Sequence, residues 1–309
     1  MTVRKLKMDN KRSRLPDWFR TRLPTGELLK KFTETKNTVT ENTLHTVCQE
    51  ARCPNIHECW AAKDATFMVA GQECTRACRF CAVGTIKRPP PLDENEPANL
   101  AEAISTMGLN HAVITVVNRD DLDDSGAMHY RRCLEAVRET SPDVTLELLC
   151  SDLAGDHEDL AMLLDNLELE VFAHNVECVP RLDIKVRDRR ATFEQSIGIL
   201  VEAKRLRPDI LTKSSLMVGL GETDDEVTEA LQMLRDANVD LVTIGQYLAP
   251  SPKHLAVDRF PEPSQYDEWS IQIEEMGFLG WACGPLVRSS YKAGELLAKA
   301  TISLTTNME

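Results

Sequence analysis

Six short runs of apolar and β-branched residues recur along the chain, and segments with apolar residues at helical spacing separate them. The runs predict buried strands at Thr66 to Ala70, His111 to Val117, Val144 to Leu149, Leu169 to Ala173, Leu211 to Val218 and Leu241 to Tyr247. The other segments predict helices at Ala98 to Met107, Gly126 to Thr140, His157 to Asn166, Ala191 to Arg207, Thr223 to Ala237 and Ser264 to Met276.

This alternation predicts the fold class. Strands that alternate with helices of this length build a parallel sheet with right-handed crossovers. Six such units are too few for a closed eight-stranded barrel. We therefore predict an α/β fold, a partial six-stranded (β/α) TIM-type barrel whose functional groups lie on loops at the carboxyl ends of the strands.

Six of the ten cysteines are concentrated in a short stretch and form two triplets. The members are Cys48, Cys53 and Cys59, spaced CxxxxCxxxxxC, and Cys74, Cys78 and Cys81, spaced CxxxCxxC. Thiolate is the soft donor that iron–sulfur clusters prefer, and a [4Fe-4S] cluster needs four ligands. We predict one cluster on each triplet, with the fourth position left to a small molecule or to an oxygen donor elsewhere in the chain.

Two other interpretations of the cysteines are weaker. Structural zinc would leave both triplets incomplete, since only Cys78 and Cys81 have the CxxC spacing of zinc ligands. A disulfide framework is typical of small secreted domains, whereas this chain is long. The four scattered cysteines are predicted to be small buried apolar residues: Cys133, Cys150, Cys178 and Cys283.

Composition and charge narrow the choice of partners. The chain has 309 residues, 42% of them apolar, and no run long enough to cross a membrane, so we expect no membrane partner. The net charge of −13 argues against nucleic acid. Charge is uneven, because Met1 to Lys36 has a net charge near +7. This arm could clamp an acidic partner or be a solvated tail. The expected compartment is the cytoplasm, with an organelle matrix as the alternative.

The second triplet, with Phe80 just before its last cysteine, resembles the signature of radical S-adenosylmethionine (SAM) enzymes. In that superfamily the amino and carboxylate groups of SAM chelate the open iron. We predict SAM contacts from six residues: Phe80, Asn175, Glu177, Gly219, Gly221 and Glu222. Gly219, Gly221 and Glu222 also directly precede a predicted capping box of Thr223 and Glu226, so they could instead belong to the start of a helix. Asn175 and Glu177, after the fourth strand, could instead only hydrogen-bond the loop backbone.

The first triplet, the following Trp60 and the sequence Arg288-Ser289-Ser290-Tyr291 together resemble the lipoyl synthase family. Further matching stretches include Ala65 to Met68, Asn118 to Asp121, His174 to Glu177, Val179 to Arg181, Thr212 to Ser214, Met217 to Thr223, Thr243 to Leu248 and Gly284 to Val287. Two departures are Ser125 and Ser215, where the family often has glycine, and neither is expected to touch a proposed ligand.

The resemblance implies a ligand set and a domain plan. It makes the first triplet the site of an auxiliary cluster with Ser290 as its fourth ligand, although sequence alone does not separate Ser289 from Ser290. Alternatively, either serine could merely cap the terminal helix that runs to Ala300. Ser290 and Arg288 are then the expected catalytic residues. We predict an N-terminal extension at 1–65, a radical SAM barrel at 66–283 and a C-terminal segment at 284–309.

The resemblance also implies the reaction, in which a SAM-derived radical removes hydrogen from the sixth and eighth carbons of a protein-bound octanoyl-lysine and the auxiliary cluster supplies sulfur. Expected partners are octanoylated lipoyl carrier domains (the glycine cleavage H protein or the E2 type of 2-oxoacid dehydrogenases), a reducing electron donor and an iron–sulfur cluster carrier. Candidate docking residues for the acidic carrier domain are basic: Arg20, Arg22, Arg187, Arg189 and Arg190. The rivals are another sulfur-inserting radical SAM enzyme and a non-catalytic iron–sulfur electron carrier.

Overall fold

The computed structural model describes residues 15–20, 24–41, 46–50 and 53–306. Its strands are β1 (Asp64–Val69), β2 (Glu73–Cys74), β3 (Gly84–Thr85), β4 (His111–Val116), β5 (Thr145–Leu149), β6 (Val171–Ala173), β7 (Leu211–Val218), β8 (Leu241–Gln246) and β9 (Gly280–Gly284). Its helices are α1 (Gly26–Glu41), α2 (Val47–Glu50), α3 (Ile56–Ala61), α4 (Glu96–Met107), α5 (Ala127–Thr140), α6 (His157–Leu164), α7 (Asp183–Val186), α8 (Phe193–Leu206), α9 (Asp224–Asp236), α10 (Pro263–Glu275) and α11 (Ala293–Thr306). Short 3₁₀ turns lie at Asp17–Phe19, Leu153–Gly155 and Pro180–Leu182.

The main sheet has seven parallel strands in the order β1-β4-β5-β6-β7-β8-β9. The edge strands β1 and β9 do not pair with each other, so the sheet is a partial barrel and the predicted fold is confirmed. The predicted number of six strands is wrong, because β9 adds a seventh at the edge. This strand begins and ends with glycine, has no β-branched residue and is mostly half-buried, so its sequence gives no strand signal.

All six predicted helices are present, with ends that differ by at most two residues. The capping box before α9 is also confirmed, since the Thr223 hydroxyl accepts from the Glu226 N–H and the Glu226 carboxylate accepts from the Thr223 N–H. None of the described helices is long and apolar enough to cross a membrane.

Helix α11 closes the amino-terminal end of the barrel. Its Leu297 and Ala300 pack against the first residues of three strands, Val171, Leu211 and Leu241. The opposite end, where the parallel strands terminate, is therefore the end at which loops can form a site.

The segment that follows β9 packs closely against β8 at the open side of the barrel. A Cβ atom added to Gly245 of β8 would lie 2.1 Å from the Val287 carbonyl oxygen, so only glycine allows this close approach. At the N-terminal side, α1 packs on α3 through stacked Phe32 and Trp60 rings, whose centroids lie 5.9 Å apart. These contacts bring the two ends of the chain to the barrel.

Candidate iron–sulfur and cofactor site

The loop of the second triplet lies between β1 and α4, at the carboxyl end of the barrel. The Arg76 N–H lies 3.4 Å from the Cys74 sulfur, and the Asp188 N–H lies 3.3 Å from the Cys78 sulfur. Burial raises the pKa of the Cys78 thiol to about 11, against the opposing effect of the Asp188 N–H. These N–H groups point at sulfur atoms that must lose a proton to bind metal.

A buried ionic network holds this loop on the barrel. Arg76 is 4% exposed and contacts Asp120 at 2.7 Å and Asp152 at 2.5 Å. Gln195 of α8 also donates to Asp152 at 2.6 Å. Breaking either ion pair would leave an uncompensated buried charge, which is costly. The network therefore holds the cysteine loop in one position on the barrel.

A second segment, residues 185–190, covers the same loop. The Arg79 N–H donates to the Val186 carbonyl at 2.9 Å, and the Ala77 N–H donates to the Asp188 carboxylate at 2.9 Å. Arg190 donates to the Thr75 carbonyl at 2.7 Å. The hydrogen bond from Arg190 lowers the pKa of Asp188 well below its usual range, so this carboxylate remains charged.

These contacts correct the predicted docking stretch. Arg187 is only 5% exposed and donates to Ser196 at 2.7 Å, so it cannot meet a carrier domain. Arg190 is paired with Asp188, and Arg189 remains exposed. Of the N-terminal candidates, Arg20 is exposed, whereas Arg22 lies outside the described residues.

A cavity at the carboxyl end of the strands, called here the barrel cavity, gathers half of the predicted SAM contacts. Phe80, Asn175 and Glu177 line it, together with Ser289 and Arg288. The Asn175 amide donates to the Glu177 carboxylate at 3.1 Å. Burial raises the pKa of Glu177. A buried carboxylate of this kind favours a cationic partner such as an amino group.

Ser215, one of the two departures from the family pattern, also lines the barrel cavity. Its hydroxyl accepts from the Thr243 hydroxyl at 2.8 Å. A serine at this position therefore narrows the cavity by a Cβ and a hydroxyl that glycine would lack.

The other predicted SAM contacts lie beside the barrel cavity and face protein atoms. The Glu222 carboxylate accepts from the Gly219 N–H at 2.7 Å and from the Leu220 N–H at 2.9 Å. A Cβ atom on Gly219 would lie 2.0 Å from the Gln246 amide nitrogen, and one on Gly221 would lie 3.2 Å from the Lys185 ammonium. These three residues shape the turn that follows β7.

The first triplet is assembled around a separate small cavity, called here the triplet cavity. Cys48 lies on α2, Cys59 on α3 and Cys53 between them, and all three line this cavity. Burial raises the pKa of Cys59 to about 12, an effect that the Lys292 N–H opposes and the neighbouring Cys53 increases. The effect of one thiol on another reflects their proximity.

The sulfur spacing tests whether either triplet suits a single metal ion. In neither triplet, all of whose members lie in the described ranges, do the three sulfur atoms lie within 4.8 Å of one another. Ligands of one tetrahedral zinc, each about 2.3 Å from the metal, would lie closer than this. Neither triplet therefore has the sulfur spacing of one tetrahedral zinc ion.

The C-terminal motif divides between the two cavities. Ser290 lines the triplet cavity, Ser289 lines the barrel cavity, and Arg288 lines both. Burial lowers the pKa of the Arg288 guanidinium. Two hydrogen bonds tie this segment to residues near the first triplet. The Asn55 amide donates to the Leu286 carbonyl at 2.6 Å, and the Tyr291 hydroxyl donates to the Glu58 carboxylate at 2.7 Å.

The alternative of a helix cap for the serines has no support in these contacts. Helix α11 starts at Ala293, and the N–H of the following Gly294 bonds the Asp64 carboxylate at 3.3 Å. The Asp64 carboxylate thus occupies the position at the helix N-terminus that a serine cap would take.

All ten cysteines are free thiols. Cys133, Cys150 and Cys178 are buried in the core as predicted, whereas Cys283 on β9 is half-buried and packs against the core.

The sequence did not single out Arg76, Asp152 or Asp188, which hold the second triplet in place. Each pairs with residues more than forty positions away, so no local pattern marks it. Asp120 is the exception, because it lies in a stretch that resembled the family.

Comparisons with known proteins place the chain in a family. Residues 68–234 match the radical SAM superfamily, and residues 2–53 match the N-terminal domain of lipoyl synthase of that superfamily. The mitochondrial lipoyl synthase of Bos taurus is 46% identical over 297 residues, which cover 94% of this chain and 79% of the relative. That of Aspergillus fumigatus is 49% identical over 288 residues, which cover 92% of this chain and 69% of the relative.

Solved structures support the fold. SuiB of Streptococcus suis bound to S-adenosylmethionine superposes with a TM-score of 0.54 and 8% identity, covering 81% of this chain and 59% of that chain. Methylornithine synthase (PylB) gives a TM-score of 0.54 with 13% identity and covers 81% of this chain and 76% of that chain. Together with the identities to the two relatives, the matches show that this chain belongs to the lipoyl synthase family of the radical SAM superfamily.

Proposed function

We propose that this protein inserts sulfur at the sixth and eighth carbons of a protein-bound octanoyl-lysine and so makes lipoyl-lysine. One observation carries the proposal beyond family membership. Ser290 lines the cavity of the first triplet, while the adjacent Ser289 lines the barrel cavity and Arg288 lines both. Adjacent residues of one segment thus line both cavities, so a substrate carbon in the barrel cavity would lie near a cluster on the first triplet.

For the second triplet, we propose a [4Fe-4S] cluster held by Cys74, Cys78 and Cys81, with one iron left for SAM. Unactivated carbon–hydrogen bonds are beyond acid–base chemistry, so the bound cofactors supply the radical. The protein's own contribution is position. Asn175 and Glu177 are suited to receive the amino group of SAM, because their oxygens are acceptors in a buried site. Phe80 offers an apolar wall.

Gly219, Gly221 and Glu222 have an indirect role in this proposal. The Glu222 carboxylate accepts from two N–H groups of its own turn, so the turn keeps its shape without a ligand. That turn lies after β7, at the same end of the barrel as the cysteine loop. We propose that it supports the rim of the SAM site.

For the first triplet, we propose an auxiliary [4Fe-4S] cluster with Ser290 as the fourth ligand. A serine oxygen is a harder donor than thiolate and matches iron in such clusters less well. It is therefore the ligand that can leave most readily when the cluster gives up sulfur. Arg288, between the two cavities, would hold the substrate against the cluster.

We propose the expected partners without change: an octanoylated lipoyl carrier domain, an electron donor and a cluster carrier. The relatives are named mitochondrial, so their names favour an organelle matrix over the cytoplasm. The division at 1–65, 66–283 and 284–309 remains our proposal for the domains.

The experiment that tests the function uses anaerobically reconstituted protein, dithionite, SAM and an octanoyl-lysine peptide. We expect 5′-deoxyadenosine and lipoyl peptide. SAM cleavage without sulfur insertion would favour another radical SAM activity. The absence of both products from protein with a full iron content would favour a non-catalytic electron carrier.

A further inference from the structure

We propose that the exposed surface around Ile184 binds an acidic protein that delivers single electrons, a small carrier with a flavin or an iron–sulfur cluster. This surface consists of Ile184, Arg79, Lys185, Arg189 and Arg190, and is called here the delivery surface. The inference rests on the proposed function, because it requires a cluster on Cys74, Cys78 and Cys81.

The apolar centre of the delivery surface is unusual. Ile184, on the short helix α7, is 90% exposed, more than any other large apolar side chain in the described part of the chain. Burial of this side chain against a partner would remove its apolar surface from water, which favours binding. A single exposed apolar residue is common on protein surfaces, so the choice of partner rests on the charges around it and on its distance from the cysteine loop.

The ring of charge is basic. Of its four basic members, Arg190 is ion-paired with Asp188 and Asp120, and the other three give the surface a positive charge in a chain of net charge −13. Arg79, Lys185, Arg189 and Arg190 are all exposed. A positive patch on a negative protein attracts an acidic partner and orients it on approach.

The delivery surface is bonded directly to the cluster loop. The Asp188 N–H lies 3.3 Å from the Cys78 sulfur, and the Arg79 guanidinium donates to the Lys185 carbonyl at 3.2 Å. Ile184 is four residues from Asp188, which sets an upper limit of about 14 Å between their Cα atoms. A carrier on this surface would therefore lie close to the loop that contains Cys78.

This position favours an electron carrier over the octanoylated domain. An octanoyl chain must reach the barrel cavity, which Phe80, Glu177 and Arg288 line and Ile184 does not. Electrons need only proximity, whereas a substrate arm needs an opening. In the transfer, the carrier is oxidised by one electron and the cluster is reduced by one, with no proton or group exchanged.

The test compares Ile184→Glu and Arg189→Glu with a matched control, Ile271→Glu, which alters an isoleucine that is 56% exposed on α10. The first readout is the Kd of oxidised flavodoxin for each reconstituted protein. We expect at least a tenfold increase for the two surface variants and no change for the control. SAM cleavage driven by reduced flavodoxin should fall in parallel, while cleavage driven by dithionite stays at the wild-type rate.

Three outcomes would overturn the inference. The first is an unchanged Kd for flavodoxin in both surface variants. The second is an equal increase of this Kd in the control variant. The third is weaker binding of the octanoylated carrier domain while flavodoxin binding stays intact. Failure of the proposed function looks different, since wild-type protein would then not cleave SAM even with dithionite.

Discussion

The two cysteine triplets are held in different ways. The loop of Cys74, Cys78 and Cys81 follows a barrel strand and is pinned by Arg76 and by residues 185–190. Cys48 and Cys59 of the first triplet lie on two short helices with Cys53 between them, and Ser290, more than two hundred residues later, lines the same cavity. One site is built into the barrel, and the other is assembled where the two ends of the chain meet.

The difference matches two fates for a metal group. A site that binds SAM in each cycle gains from fixed geometry, because misplacement of the reacting atoms slows a reaction steeply. A site whose cluster gives up sulfur gains from a ligand that can leave. Cysteine count alone suggests two equivalent sites, whereas their surroundings distinguish them.

The largest expected effect comes from the barrel triplet. Changing Cys74, Cys78 and Cys81 to Ala should abolish 5′-deoxyadenosine formation, because no open iron remains for SAM. Iron content should fall by about half, since the other triplet keeps its own cluster. Chromatography of the nucleoside and an iron assay measure the two results. Deoxyadenosine from this variant would show that the cluster assignments are wrong.

Changing Cys48, Cys53 and Cys59 to Ala should separate the two sites. SAM cleavage should continue at a measurable rate, because Asp188 and Arg76 hold the other loop independently of these cysteines. Lipoyl peptide should be absent from the mass spectrum. An equal loss of both activities would mean that the triplets share one role, or that the first is structural.

A smaller effect is expected for Ser290→Cys. The cluster should be retained, because thiolate is at least as good an iron ligand as a serine oxygen. Product formation should fall by about tenfold, equivalent to ~1.4 kcal/mol in the barrier, since the stronger ligand leaves less readily. Iron content and lipoyl peptide yield give the measurement.

Ser289→Ala is the matched control for this substitution, because Ser289 faces the other cavity and should leave the cluster intact. Product formation at the wild-type rate in Ser290→Cys would contradict the proposed reason for an oxygen ligand.

The last effect, which is not on catalysis, concerns acid stability on the barrel side. His174 is buried between the Cys150 carbonyl and the Ser196 hydroxyl, at 2.9 Å from each, and burial lowers its pKa to about 4. Its folded pKa lies below the ordinary value of 6.5, so its contribution is complete above pH 6.5 and is lost as pH falls toward 4. This histidine alone should contribute a slope of about 1.4 kcal/mol per pH unit in that window.

Urea unfolding of the apoprotein at several pH values measures this slope, and His174→Gln should reduce it by roughly that amount. The Ser196 hydroxyl also accepts from Arg187, which lies in the segment 185–190 that covers the cysteine loop, so acid should loosen the barrel site before the other. An unchanged slope in the variant would rule out His174 as the source.

Sequence patterns predicted what depends on local spacing. Buried β-branched runs identified six of the seven strands, and the spacing of the cysteines identified both triplets. They could not identify β9, whose five residues include two glycines and whose strand position depends on pairing with β8. Edge strands of this kind owe their structure to a neighbour, not to propensity.

The same limit explains the errors at the sites. Ser289 and Ser290 are indistinguishable in sequence because the direction of each side chain depends on how the segment enters the barrel beside Gly245. Arg187 resembled a surface charge among other arginines, yet it is buried against Ser196. Charge runs do not reveal which member turns inward.

The central claim is that the two triplets bind separate clusters and that only the first is consumed. The most direct test is the iron and sulfide content of reconstituted protein before and after one turnover with an octanoyl-lysine peptide. We predict about eight irons per chain before turnover and about four after it, with SAM cleavage retained. Lipoyl peptide formed with no loss of iron or sulfide from the protein would contradict the account.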